Sequence, residues 1–252
     1  MNKKKIKDYF AKKDTVYNWW DPLNSERGDI YARQEKIIEK KLKERKINSL
    51  LDVSCGRGRF AQRLTKKIDN YTCLDISKQM LNHIKKLNLG VKLIQRDIET
   101  CNLNKKYDVI ICAEAIVHYS NPLKALKNMK DHLKKEGILI VTTDNSRCLG
   151  KRIRLIENYF LNKKGEKTYP IGNEIYKPYT EKEYLDFFNK AKLNVDSKRK
   201  ISIFSTPIKL KSSNFYIISP FFSKLFYYPD MFFEKIPFLN RLSTYFIYFL
   251  TK

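Results

Sequence analysis

Residues 50–60 read Leu-Leu-Asp-Val-Ser-Cys-Gly-Arg-Gly-Arg-Phe. An apolar run of this kind is a buried strand, and it passes directly into a glycine turn that opens a helix. That construction brings backbone close to a nucleotide-like ligand. Gly56 and Gly58 tolerate backbone angles and contacts that a Cβ would forbid. A Gly-x-Gly pair alone is a weak signal, and it gains weight from the strands that succeed it at regular spacing. The next apolar run, Tyr71–Asp75, ends in an acid at the separation from Asp52 at which such units place a ribose-binding carboxylate. A third short strand, Val91–Gln95, ends at Arg96-Asp97-Ile98-Glu99. A fourth, Tyr107–Cys112, runs into Ala113-Glu114-Ala115-Ile116-Val117-His118-Tyr119, and a fifth, Gly137–Val141, follows a helix over Leu123–Lys135.

These blocks, in this order, resemble the class I S-adenosylmethionine-dependent methyltransferases. The resemblance covers roughly residues 48–145 and rests on five features. They are the glycine loop, the acid after strand two, the Asp97 block, the Tyr107–Pro122 block and the run Leu133-Lys-Lys-Glu-Gly-Ile-Leu-Ile. Ser54 is a departure, standing where the family usually carries glycine. A nicotinamide-binding Rossmann unit is the structural rival, but it wants Gly-x-Gly-x-x-Gly, and Phe60 and Ala61 occupy the place of the third glycine.

The resemblance implies an α/β fold: a Rossmann-like, seven-stranded, mostly parallel sheet with helices on both faces and its last strand antiparallel. It implies S-adenosyl-L-methionine as cofactor. On the family pattern, Asp52 lies near the glycine loop and the amino group of the methionine moiety. Ser54, Cys55, Gly56 and Gly58 line that moiety. Asp75 holds the ribose hydroxyls, with Ile76 against the adenine. Asp97 and Ile98 flank the adenine, Asp97 accepting its exocyclic amine. Ala113 and Glu114 border cofactor and acceptor.

A chain of 252 residues suffices for one α/β domain and an elaboration. Its five cysteines form no Cys-x-x-Cys pair, and three fall in predicted strands or at their ends, where cysteine behaves as a small hydrophobe. A disulfide framework, a zinc site or any other metal centre is therefore not expected, and a reducing cytoplasm is the expected compartment. The start, Met-Asn-Lys-Lys-Lys-Ile-Lys, lacks the apolar core of a signal peptide. No apolar stretch reaches the roughly 18 residues of a membrane span. The charge is unusual: 51 basic against 27 acidic side chains, formally +24. Such a balance fits a polyanionic partner, either nucleic acid or an anionic membrane surface touched peripherally. It fits equally a compositional bias toward Lys, Ile and Asn, because the lysines are spread along the whole chain.

The chain divides into four parts. Residues 1–47 form an N-terminal helical cap, 48–204 the methyltransferase-like core, 205–240 an aromatic insertion between strands six and seven, and 241–252 the final strand. In the first part, Tyr9-Phe10, Trp19-Trp20, Tyr31 and Arg33 echo a pattern that, in many small-molecule methyltransferases, forms a flap over cofactor and acceptor. Plain packing of a leading helix accounts for the same residues. The amphipathic stretch 29–46 sets Ile30, Ile37, Ile38 and Leu42 on one side. Residues 58–67 are predicted as the first helix of the core. Ser77 caps the next, and Asn121-Pro122 starts another. Thr180-Glu-Lys-Glu183 is a capping box. Asn194–Phe204 reads as strand six and Thr244–Leu250 as strand seven. The insertion carries ten Phe and Tyr residues, from Phe215 to Phe238, and is broken by Pro207, Pro220, Pro229 and Pro237. It could roof an acceptor pocket, dimerise, dip into a membrane interface, or simply form core.

Methyl transfer from a sulfonium is an in-line displacement, for which the protein chiefly supplies alignment and dryness. A general base is needed only for a hydroxyl or carbon-acid acceptor. His118, just after strand four, is the best candidate; Tyr119 and Glu114 come next. Trp19, Tyr31 and Tyr119 are candidate acceptor contacts. His83 and His132 are expected to be solvated on the far side. The stretch after strand four is not Asn-Pro-Pro-Tyr or Asp-Pro-Pro-Tyr, which disfavours nitrogen methylation of DNA bases. Three functions stay open. The first is O- or C-methylation of a small-molecule acceptor, which could be lipid- or glycan-linked. The second is methylation of tRNA or rRNA, which predicts a continuous basic stripe and steep salt dependence. The third is a non-catalytic cofactor-binding scaffold, which predicts a blocked pocket.

Overall fold

The computed structural model describes residues 3–11, 28–161, 175–210 and 215–252. Two helices, α1 (Lys3–Ala11) and α2 (Gly28–Lys43), precede the sheet. Then come β1 (Ser49–Val53), α3 (Ala61–Leu64), β2 (Asn70–Asp75), α4 (Lys78–Lys86), β3 (Lys92–Gln95) and β4 (Tyr107–Ala113). They are succeeded by α5 (Pro122–Asp131), β5 (Leu133–Asp144), α6 (Leu149–Phe160), α7 (Glu181–Lys190) and β6 (Asn194–Ile201). A small hairpin, β7 (Ile208–Lys209) and β8 (Tyr216–Ile218), leads to α8 (Pro220–Leu225), α9 (Tyr227–Phe233) and β9 (Tyr245–Thr251).

Seven strands form one sheet in the order β3-β2-β1-β4-β5-β9-β6. β9 is antiparallel to both its neighbours, and the other pairings are parallel. The fold is thus the Rossmann-like one expected, with the last strand reversed. Every residue of β1 is buried, as a central parallel strand covered on both faces must be. Leu51 belongs with Ile110, Leu126, Met129 and Tyr248 on one side of the sheet; Leu50 belongs with Ile38, Ile84, Val109 and Ile247 on the other. β6 is an edge, and its run Asp196-Ser-Lys-Arg-Lys200 blunts it with charge.

The helix starts expected from capping are present. Ser77 accepts the Met80 amide, Asn121 accepts the Lys124 amide ahead of α5 with Pro122 in its first turn, and Thr180 and Glu183 close a capping box. Three boundaries differ from expectation. The helix placed over 58–67 is a short α3 continued as a 3-10 turn over Thr65–Lys67. α5 stops at Asp131, and β5 starts at Leu133 rather than Gly137, with a bulge between Tyr107 and Val109 absorbing the extra length. Strand six stops at Ile201 rather than Phe204, because the next residues are claimed by the insertion. Ser202 turns the chain at φ 66°. Asp230, with no exposed surface, then accepts the amides of Ile203 (2.9 Å), Phe204 (3.0 Å) and Ser205 (2.7 Å).

This clamp and its neighbour fix the insertion. Glu234 accepts the Ser202 amide at 2.6 Å and Arg33 Nη1 of α2 at 2.7 Å, and Arg33 closes the fork through Nη2. Phe204 packs against Phe226 and Phe233. Asp230→Asn should lower stability by ~1–2 kcal/mol, because one oxygen facing amide donors becomes a donor itself. Equilibrium unfolding in urea would show this as a lower midpoint; an unchanged midpoint would mean that the clamp is not under load. The outer side of the insertion is not core: Phe221, Phe222, Tyr228, Phe232 and Phe238 are exposed.

Candidate functional site

A cavity of about 370 Å³ opens at the carboxyl edge of the parallel strands, within the ~300–1,000 Å³ usual for ligand pockets. β1 delivers Asp52 and the loop Ser54–Gly56. β2 delivers Asp75 and Ile76, the turn after β3 Asp97 and Ile98, and the end of β4 Ala113, Glu114, His118 and Tyr119. Ile6 and Phe10 of α1 and Tyr31 of α2 face it from the N-terminal segment.

Ser54 explains its own departure from glycine. It sits at φ 53°, and its Oγ is 3.0 Å from the Tyr119 hydroxyl, a local bond that helps hold a left-handed serine. Gly58 is not a wall of the cavity, contrary to its expected place there. Its amide closes the turn on the Cys55 carbonyl at 2.9 Å, with φ +78°. A Cβ there would lie 2.9 Å from Ile84 Cγ1. Its role is to set the turn tightly against α4.

The buried carboxyls dominate the electrostatics. Asp75 accepts the Gly56 amide at 3.0 Å and the Ser77 amide at 2.8 Å, one on each oxygen, which leaves a lone pair on each for a further donor. Burial raises its pKa to about 6 against those amides. Asp52 accepts the Tyr71 hydroxyl at 3.0 Å, and burial, assisted by Asp75, pushes its pKa to about 7. Glu114, at φ 55°, accepts Thr142 Oγ1 at 2.7 Å and Gln34 Nε2 at 3.0 Å. Burial and then Asp144 raise it to about 7. Such carboxyls lining a cavity suit a ligand that brings positive charge and hydroxyl donors. The donor set therefore fits S-adenosylmethionine, whose sulfonium and amino group are cationic.

His118 ends a 3-10 turn over Ile116–His118. Its Nδ1 lies 2.6 Å from the Ile175 carbonyl, which can only accept, so Nδ1 carries the proton and Nε2 is left as an acceptor. Burial pulls its pKa below the ordinary 6.5, with the Ile175 carbonyl and Asp144 opposing, so the neutral ring prevails at neutral pH. Phe10 stands edge-on to the imidazole at 5.0 Å and Tyr176 lies against it at 5.6 Å.

Every other candidate site residue among those described, Tyr31 and Tyr119 included, lines this cavity. Trp19 lies outside the described residues. Two expectations for histidines are corrected. His83 reaches the cavity wall. His132 is buried, its Nε2 accepting the Leu103 amide at 2.9 Å. Among the described residues, no cluster of His, Cys, Asp or Glu is arranged to hold a metal ion.

Several contributors were not singled out from sequence. Arg59 donates from both terminal nitrogens to Gln34 Oε1 at 3.2 Å and lies 4.7 Å over the Tyr31 ring. It is the cation facing Asp52 and Glu114. Gln34 and Glu35 on the buried stripe of an amphipathic helix were the available signal. Glu99 takes the Ser120 amide (2.9 Å), the Ser120 hydroxyl (2.7 Å) and the Asn121 amide (3.2 Å), fixing the loop just after His118. Lys3 pairs with Asp97 at 2.7 Å and with Glu99 at 3.1 Å, laying α1 across this end of the cavity.

A methyltransferase-domain family model matches residues 26–198, more than half of the chain, and the chain belongs to that family. Its architecture is that of the class I S-adenosylmethionine-dependent methyltransferases. Similar curated proteins are the ubiquinone biosynthesis O-methyltransferases of Rickettsia typhi and Rickettsia prowazekii. The first is 35% identical over 58% of this chain and 62% of its own length, the second 34% over 58% and 60%. The chain thus spans less than two thirds of these relatives. Among solved structures, the magnesium protoporphyrin IX methyltransferase of Synechocystis, with bound S-adenosylhomocysteine, shares the fold over 100% of both chains. Its TM-score is 0.64 at 13% identity. An S-adenosylmethionine-dependent methyltransferase of Clostridium acetobutylicum does so at TM-score 0.57 and 17% identity, covering 88% of this chain and 91% of its own.

The raised carboxyl pKa values have a consequence for pH. A carboxyl with an ordinary pKa of 3.8 and a folded value of about 7, as for Asp52, stabilises the fold fully below 3.8. That contribution disappears as the pH rises through about 7. The unliganded protein should therefore lose stability relative to Asp52→Asn between pH 5 and about 7.5. Scanning calorimetry of both proteins checks this; a constant difference between their melting temperatures across that window would refute it.

Proposed function

We propose that this chain transfers the methyl group of S-adenosylmethionine to a hydroxyl oxygen of a small, apolar, ring-bearing acceptor, of a kind that a lipid tail could carry. The observation that carries the reading is His118. It is a neutral imidazole with Nε2 free to accept, at the cavity wall between Phe10 and Tyr176. The O-methyltransferase names of the similar rickettsial proteins support the same reaction class.

S-adenosylmethionine, when bound, supplies a methyl group already activated by its sulfonium. Asp75 is placed to accept from the ribose hydroxyls through its remaining lone pairs, and Ile76 and Ile98 to flank the adenine. Asp97 takes the exocyclic amine, sharing its carboxylate with Lys3. Asp52, with the loop Ser54–Gly56, faces the methionine end. Ile6 and Phe10 of α1 close the cavity and keep water from the reacting atoms, the role we assign to residues 1–47. Tyr31 and Tyr119 bound the acceptor side. His118 Nε2 would take the acceptor's hydroxyl proton as the methyl group leaves sulfur for that oxygen, the cofactor departing as the neutral thioether, and the Ile175 carbonyl would steady the imidazolium through Nδ1–H.

The first measurement is calorimetric titration with S-adenosylmethionine and S-adenosylhomocysteine. Mass-spectrometric assay on catechol- and phenol-type acceptors with and without an isoprenoid tail comes second. Micromolar cofactor binding with a single added methyl on oxygen supports the reading. Absence of binding to either would raise the non-catalytic scaffold alternative from third place to first.

A further inference from the structure

Two segments outside the cavity expose apolar surface on a scale unusual for a water-facing side. On α6, Tyr159 is 68% and Phe160 76% exposed, with Leu155 and Ile156 beside them. On α8 and α9, Phe221 is 69%, Tyr228 77% and Phe232 64% exposed. The start of α6 lies against the hairpin that leads into α8, since a side chain at Gly150 would meet Ile208 at 3.6 Å. Both spring from the edge of the sheet where the cavity opens. α6 comes after the carboxyl end of β5, and α8 and α9 lie between the carboxyl end of β6 and the start of β9.

The fully exposed charges on α8 and just after α9 are positive, while α6 carries the half-buried Glu157 among its apolar residues. Lys224 and Lys235 lie exposed among the aromatic residues, and Arg152 is exposed on α6. The insertion's two acids, Asp230 and Glu234, are turned inward, holding backbone amides and Arg33. No helix among the described residues is long and apolar enough to cross a membrane. Exposed aromatic side chains interleaved with lysine on short helices match the headgroup–acyl boundary of a bilayer. A second copy of the chain would set these cations against their own images, as a two-fold contact requires.

We infer that this face docks on an anionic phospholipid bilayer, with α8, α9 and the end of α6 in the interface and the mouth of the cavity at the membrane surface. The inference goes beyond the proposed methyl transfer and stands without it, since vesicle binding needs neither cofactor nor turnover.

Sedimentation of the full chain with phosphatidylcholine vesicles containing about 30% phosphatidylglycerol, and with pure phosphatidylcholine vesicles, tests it. Strong binding to the anionic vesicles is expected, with at least tenfold weaker binding to the neutral ones and near-complete release in high salt. Phe221→Ser combined with Phe232→Ser, and separately Lys224→Glu combined with Lys235→Glu, should each weaken anionic-vesicle binding by about tenfold or more. S-adenosylmethionine affinity should not change, since none of the four residues lines the cavity, and that affinity doubles as a check on folding. No sedimentation with anionic vesicles, or equal binding to both kinds, overturns the inference. So does a concentration-dependent dimer that the aromatic variant abolishes while vesicle binding is absent, which would make the face a self-association surface.

Discussion

His118→Gln should reduce turnover by ~10²–10⁴-fold while leaving S-adenosylmethionine affinity unchanged. The imidazole is positioned by its bond to the Ile175 carbonyl and lines the cavity, so glutamine removes the proposed base and little of the packing. Three further readouts separate a base from a structural residue. The wild-type rate should fall on the acid side below pH 6.5, because burial lowers the imidazole pKa and protonation there fills Nε2. That limb should be missing in the variant. Acceptors with more acidic hydroxyls should suffer less from the substitution, since they ionise with less help. A variant within threefold of wild type on a phenol-type acceptor would remove His118 from the chemistry.

The second large effect is expected at Asp75. Alanine there would remove the charge-assisted contact proposed to the ribose, ~1.5–3 kcal/mol, so cofactor affinity should drop by at least about tenfold. Asn should fall between, since it keeps one accepting oxygen. The carboxylate also holds the Gly56 and Ser77 amides, so part of the loss comes through the glycine loop. Calorimetric titration gives the affinity, and circular dichroism shows whether the sheet persists. Affinity within threefold of wild type would mean that the ribose is held elsewhere.

The central strands β1, β2 and β4 were readable because they are largely buried on both faces and lead directly into residues of the site. Leu50-Leu-Asp-Val, Tyr71–Asp75 and Tyr107–Cys112 are apolar runs that could serve nothing else at that spacing. β9 was readable from Tyr245–Leu250 for the same reason. What stayed hidden was long-range. Nothing local to Ser202-Ile-Phe-Ser205 announces that Asp230, far along the chain, will take three of the amides there and end the strand early. Arg59 was visible as a charge beside a glycine, but its partner Gln34 lies on another helix. His132 looked solvated because its helix is amphipathic; its burial comes from the Leu103 loop folding over it. The aromatic insertion could be read as core or as surface, since composition does not say which way a ring faces.

The position of β9 has a consequence for biosynthesis. It contributes the sixth place in the sheet and bonds to β5 on one side and β6 on the other, with Leu250 opposite both Leu139 and Val195. Once β6 is made, and until that stretch follows it, β5 and β6 each lack their shared neighbour. Between the completion of β6 at Ile201 and the arrival of Tyr245, the nascent chain therefore carries two unpaired strand edges. A stall between residues 201 and 245 leaves β6 made but with no strand to join it to β5, a gap inside the sheet rather than a trimmed rim.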